Sequence, residues 1–215
     1  MKNETELKNL AHEMFDPELA NEVIALMDES NSKLVAPTPI GPDQMIEVSG
    51  LDLIWLVDEI FYDDVACGQY TTYCNMKVLP GENQFKFVQH DKEPYFSFKT
   101  SNGHVITPTT MDFDGGSIPY FFRMFKTFSP TFYIPAYLIH DWLFVRHREN
   151  SPPDHDFTFK ETAVILAEAI KTLMEIGYYD ENGRLVQLEK NEDTLFLIYL
   201  AVRTPIAKAL WNKSK

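Results

Sequence analysis

Cysteine is almost missing from this chain: Cys67 and Cys74 are the two in 215 residues. They make no disulfide framework and lack CxxC spacing, so they read as reduced, small apolar residues. Positive charge is also short, with 19 Lys and Arg against 32 Asp and Glu and a net charge of −13. That balance argues against nucleic acid or anionic membrane as a partner, since both need a basic face. Arg203, Lys208, Lys213 and Lys215 gather near the C-terminus, where they read as the solvated face of a terminal helix. Long apolar runs are lacking too. The longest, Leu195 to Val202, is far too short to span a bilayer. Met1-Lys2-Asn3-Glu4-Thr5-Glu6 has no apolar signal core. The expectation is a soluble cytoplasmic protein.

What is present suits a packed globular chain: 45% hydrophobic and 13% aromatic residues, enough to bury a core. The length fits one domain with a small helical extension. No repeat or low-complexity stretch occurs. Residues 1–66 read as an acidic helical extension. Asp16-Pro17-Glu18 is a helix start, with Asp16 placed to cap and Pro17 at the first helical position. Leu19, Val23, Ile24 and Met27 then form an apolar stripe. Three prolines between Pro37 and Pro42 exclude a helix there. Leu51 to Val65 has the spacing of an amphipathic helix.

Residues 67–215 read as an α+β domain, a small antiparallel β-sheet followed by a helical bundle. Tyr70, Thr72, Cys74, Met76 and Val78 alternate with Thr71, Tyr73, Asn75 and Lys77, the period of a half-buried strand. Pro80 to Asn83 predicts a turn and Gln84 to Gln89 a second strand. Tyr95 to Lys99 and His104 to Thr107 flank the hairpin signal Asn102-Gly103. Helices are expected at Tyr120 to Phe128, from Pro135 through His140, and from a capping box at Thr158 and Glu161 to Gly177. A last helix starts at Asp193 or Thr194, with Pro205 as a kink or break.

Two segments carry the chemistry. Asp112-Phe113-Asp114-Gly115-Gly116-Ser117-Ile118-Pro119 packs two carboxylates, two glycines and a hydroxyl into a tight turn. Two residues apart on an extended segment, Asp112 and Asp114 share a face and can chelate a cation or raise each other's pKa. Ser117 is placed to cap the following helix, its ordinary use. The second segment, His140-Asp141-Trp142-Leu143-Phe144, sets an imidazole beside a carboxylate within an apolar run. Buried polar groups cost free energy unless they are paired or used. His140 and His147 are two turns apart, too far to ligate one metal. Asp154-His155-Asp156 offers further ligands on a Pro-rich loop.

Together these segments resemble a family of tailed phages, prophages and bacteria that is catalogued as a domain of unknown function. Its hallmarks are an Asp-Gly-Ala-Ser-Ile-Pro segment after a short β-region and a later His-Asp-Tyr-Leu-Tyr segment. Asp114 to Pro119 matches the first with Gly116 for Ala, and His140 to Phe144 matches the second with aromatic exchanges. Pro135 to Ile139 is similar to the family's lead-in, and Tyr199 to Arg203 to its closing Ala-Val-Arg segment. The resemblance covers roughly residues 74 to 211. It implies a phage or prophage setting, a host-cytoplasmic or virion-associated location, and convergence of Asp114, Ser117, His140 and Asp141. One departure is that Glu161-Thr162-Ala163 lacks the family's early Ala-Asp. Glu161, Glu168 or the Asp154–Asp156 loop would have to substitute.

Two function classes follow. In the first, the protein is a metal-assisted hydrolase. Asp112, Asp114, His140 and Asp141 would hold a divalent cation of unknown identity, with His140, Asp141 and Ser117 as catalytic groups. In the second, it is a non-catalytic accessory, a virion component or host-protein inhibitor, and the same residues form a structural network. A protein partner would use the acidic N-terminal third in either case. The enzyme is preferred, because the Asp, Ser, His, Asp set is more polar than a fold of this size requires.

Overall fold

A computed structural model describes residues 3–34, 61–78, 85–113, 133–154 and 156–212. The Pro-rich stretch, most of the Leu51–Val65 helix, the Pro80–Asn83 turn, the Tyr120–Phe128 helix and His155 lie outside them. The fold is α+β, with helices leading, small antiparallel sheets in the middle and helices closing the chain.

Helix α1 (Glu4–Met14) opens with a capping box between Asn3 and Glu6, and α2 (Pro17–Leu34) starts at the proline. Asp16 caps α2 through its Oδ1, which accepts from the Leu19 N–H at 3.0 Å. Leu7, Ala11 and Met14 of α1 meet Leu19, Ala20, Val23 and Met27 of α2 in one buried cluster, which continues into the rest of the chain. A short helical turn follows at residues 61–64.

The period-two stretch at residues 70–78 is not one strand. β1 (Gln69–Tyr70) and β2 (Met76–Val78) join different sheets. β1 pairs with β4 (Phe98–Lys99), which pairs with β5 (Val105–Ile106), aligning Tyr70, Phe98 and Ile106 on the buried face. β2 pairs with β3 (Phe85–Phe87), which pairs with β6 (Met111–Phe113). Tyr70 and Phe96 stack at 6.0 Å, and Phe87 meets Phe96 edge-on at 5.6 Å, so one aromatic seam spans both sheets. Gly68 is required by close approach: a Cβ there would overlap the Lys99 carbonyl and the Phe98 ring.

Helix α3 (Ile134–Glu149) begins with Pro135 in its first turn, where a missing N–H costs nothing, and ends at Asn150 in the left-handed conformation. Helix α4 (Phe159–Glu175) has the expected Thr158–Glu161 capping box and ends before Gly177 at φ 75°. Antiparallel strands β7 (Tyr178–Tyr179) and β8 (Leu185–Val186) then pair as a hairpin. Helix α5 (Glu192–Ala201) is capped by Asn191, whose Oδ1 accepts from the Thr194 N–H at 3.0 Å, one or two residues before the expected start.

Helix α6 (Pro205–Asn212) follows after a 52° bend, so Pro205 acts as a break. No single described helix is long and apolar enough to cross a membrane, although the bent α5–α6 pair passes by length and composition. α4 packs on α3 and α5, and α2 on α5.

Three hydrogen bonds fasten the β1–β4–β5 sheet to α4. The Tyr70 hydroxyl donates to the Ala169 carbonyl at 3.2 Å, and the Gly68 N–H to Thr172 Oγ1 at 2.8 Å. The Ser101 N–H donates to the Glu168 carboxylate, tying down the Asn102-Gly103 hairpin.

Candidate functional site

Pro135 through Phe144 are all buried, so the first half of α3 is enclosed on every side and carries no amphipathic stripe. His140 and Asp141 sit in this enclosed half, each 3% exposed. Their side chains approach despite lying about 100° apart around the helix: Nδ1 of His140 is 4.0 Å from Oδ1 of Asp141. That exceeds hydrogen-bond length. Oδ1 of Asp141 is buried and has no hydrogen-bond partner among the described residues.

The electrostatics follow from burial. Removal from water pushes the His140 imidazole down to about 3. The same desolvation holds the Asp141 carboxyl well above its usual range, with Arg148 pulling weakly the other way. The spacing would suit an ion pair, but burial disfavours the charged form of each partner. An imidazole this weak as a base is always in the neutral form that ligates metals. That suits His140 to a ligand role better than to a general-base role.

The spacing allows one ion to bridge the pair. Metal–nitrogen and metal–oxygen bonds of about 2.0–2.2 Å put two donors at most about 4.2 Å apart, and 4.0 Å lies inside that limit. Of the other expected ligands, Asp112 lies on β6 opposite Lys86. Its side chain, together with Asp114 and Ser117, falls outside the described residues. Among the described residues, no group of three or more His, Cys, Asp or Glu is gathered to hold a metal.

Glu161, Glu168 and Asp154, expected as alternative ligands, are engaged elsewhere. Glu161 accepts from the Thr158 N–H at 2.7 Å in the α4 capping box, which holds its carboxyl below the usual range. Glu168 serves the Ser101 hairpin. Asp154 accepts from the Trp142 indole at 2.9 Å, on a loop whose Pro152 and Pro153 carbonyls accept from Arg146.

The wall beside His140 is aromatic. Phe144 lies 4.7 Å from the His140 ring and 4.8 Å from Trp211 of α6. His147 stacks on the other part of this wall, 3.7 Å from Trp211 at 14°. It is half-buried and stands apart from the His140–Asp141 pair. Sequence reasoning found the pair but not the part played by α6, whose Trp211 comes from 67 residues beyond Phe144 (211 minus 144).

No family model matches this chain, and no curated protein or solved structure matches it.

Proposed function

We propose that the chain is a phage- or prophage-type hydrolase that works with a divalent cation, its centre formed by His140 and Asp141 on α3 together with the Asp114–Ser117 turn. One observation carries this reading: the buried Oδ1 of Asp141 has no hydrogen-bond partner among the described residues and lies 4.0 Å from an imidazole nitrogen. Leaving such an atom unsatisfied costs about 1–3 kcal/mol, which a structural network would avoid and a ligand site accepts. The phage setting rests on the paired Asp114–Pro119 and His140–Phe144 motifs.

His140, already neutral, and Asp141, on losing its proton, would be two ligands, with Asp112 and Asp114 as the further carboxylates. A bound divalent cation supplies Lewis-acid polarisation and a more acidic water. The chain's own contribution is a dry aromatic wall, built from Phe144 and Trp211, that strengthens every charge interaction inside it. Ser117 and the amides of its turn would polarise the scissile group.

The depth of burial favours a second reading, since a pair only 3% exposed is shielded from a large substrate. In that reading the protein is a non-catalytic accessory, a virion component or an inhibitor of a host protein, and α3 is simply its core. In both readings the acidic N-terminal third is the surface for a protein partner.

Thermal unfolding of wild type and of the Asp114→Asn, His140→Ala and Asp141→Asn variants, in EDTA and in Mg²⁺, Mn²⁺ or Zn²⁺, separates the two. The hydrolase reading expects a cation to raise Tm in wild type only, since a ligand stabilises the state it binds. Marked destabilisation of every variant with no cation effect on wild type would sink it.

A further inference from the structure

One end of the β1–β4–β5 sheet holds a feature that the α3 centre does not use. The residues just beyond the paired strands, Thr71, Ser97 and Thr107, follow the registers Tyr70–Phe98 and Phe98–Ile106. Side chains alternate across a sheet. Because Tyr70, Phe98 and Ile106 face the core, the three hydroxyl residues form a row on the opposite face. They floor an open cleft of about 510 Å³, whose wall is Glu93-Pro94-Tyr95.

The floor is pre-organised. Thr71 Oγ1 donates to the Tyr95 carbonyl at 2.7 Å and accepts from the Ser97 N–H at 2.9 Å. Ser97 Oγ lies 3.0 Å from Thr71 Oγ1. These bonds pin the Tyr95 backbone against the sheet, so the wall is held at both the floor and the loop. The Tyr95 side chain is spared this work and stays 42% exposed. Gln89 adds a second brace, its Oε1 accepting from the Phe96 N–H at 2.9 Å.

We propose that this cleft binds a neutral carbohydrate, a short oligosaccharide whose ring lies on the Tyr95 face. The volume falls within the range of about 300–1,000 Å³ usual for small-ligand sites. A tyrosine presents an apolar body with a polar tip, matching a sugar ring, whose C–H face is apolar and whose rim is hydroxyl. The Thr107 and Ser97 hydroxyls and the Glu93 carboxylate supply the mixed donors and acceptors that such a rim needs. Anionic ligands are disfavoured because, among the described residues, the cleft is lined by a carboxylate and by no cation, on a chain of net charge −13. A cationic peptide side chain could approach Glu93 and the Tyr95 face, but it would make no use of the Thr107 hydroxyl on the floor.

The test is saturation-transfer NMR on the full chain with maltotriose, cellotriose and chitotriose, and with an arginine-amide peptide as the rival. The expected result is transfer to at least one trisaccharide. Tyr95→Ala should weaken that binding tenfold or more, equal to about 1.4 kcal/mol, without moving Tm. Glu93→Gln should weaken it less. Tyr179→Ala, at a tyrosine 63% exposed on the separate β7–β8 hairpin, should leave binding as in wild type. Transfer to none of the three sugars, equal binding by the Tyr95→Ala variant, or preference for the peptide would each overturn the proposal.

Discussion

Replacing Asp141 by Asn deletes a carboxyl that burial holds well above its usual range, and the consequence is a stability difference that depends on pH. Above the ordinary carboxyl value of about 3.9, the unfolded chain has released this proton while the folded chain keeps it. The native state binds more protons, so wild-type stability falls as pH rises, by at most about 1.4 kcal/mol per unit. The fall ends once pH passes the raised folded value. His140 acts in the opposite sense. Between its unfolded value of about 6.5 and its folded value of about 3, the unfolded chain binds a proton that the native chain refuses. Stability from His140 is therefore lost as pH falls.

While both groups titrate, the two slopes offset one another in wild type; above about pH 6.5 the His140 slope is gone and any slope left is that of Asp141. Asp141→Asn removes the Asp141 slope and keeps the other. The variant should thus gain on wild type steadily from pH 5 to pH 8, by about 1–3 kcal/mol after local relaxation. At about 2–4 °C per kcal/mol for a chain of this size, the Tm difference should widen by roughly 2–12 °C between pH 5 and pH 8. Urea unfolding at pH 5, 6.5 and 8 gives the same comparison at one temperature. A variant less stable than wild type by the same amount at every pH would refute the reasoning, because it would mean Asp141 is a satisfied network member.

Two further outcomes follow from the packing. Glu168→Ala removes the acceptor of the Ser101 N–H; it should cost about 1 kcal/mol, the net worth of one hydrogen bond, with amide exchange accelerating first in the Thr100–His104 hairpin. His147→Gln breaks a ring stack on Trp211; it should cost about 0.5–1.5 kcal/mol and leave any cation effect on Tm unchanged, whereas loss of that effect would move the centre toward the C-terminal half of α3.

Helix starts were legible in the sequence because capping is local. Asp16 with Pro17, and Thr158 with Glu161, need no distant partner to do their work. Asn191 was less legible, since Glu192 and Asp193 crowd the same first turn. Sheet membership was not legible. The alternation from Tyr70 to Val78 suits any half-buried extended chain, and the partners that divide it, Phe98 for Tyr70 and Phe87 for Met76, are set by packing far along the sequence. The β7–β8 hairpin had a local signal in Asn182-Gly183, overlooked between two strong helices.

At the candidate site, the sequence pointed to His140 and Asp141 as buried polar neighbours, and the structure places them so. The duty of Glu161 was legible as the capping-box partner of Thr158, but the loss of Glu168 and Asp154 was hidden, because each is claimed by a hairpin or an indole whose position only the fold defines. The row of Thr71, Ser97 and Thr107 was hidden for the same reason. Three isolated hydroxyl residues become a floor only once the strand register aligns them.

The central claim, that His140 and Asp141 hold a divalent cation, is tested most directly by adding substoichiometric Mn²⁺ to isotope-labelled protein and following paramagnetic broadening by NMR. The account predicts that amide signals from Leu138 to Phe144 and the His140 ring signals broaden first, and that Asp141→Asn abolishes this while keeping the fold. Broadening confined to exposed acids such as Asp180 and Glu181, or equal broadening in the Asp141→Asn variant, would contradict it.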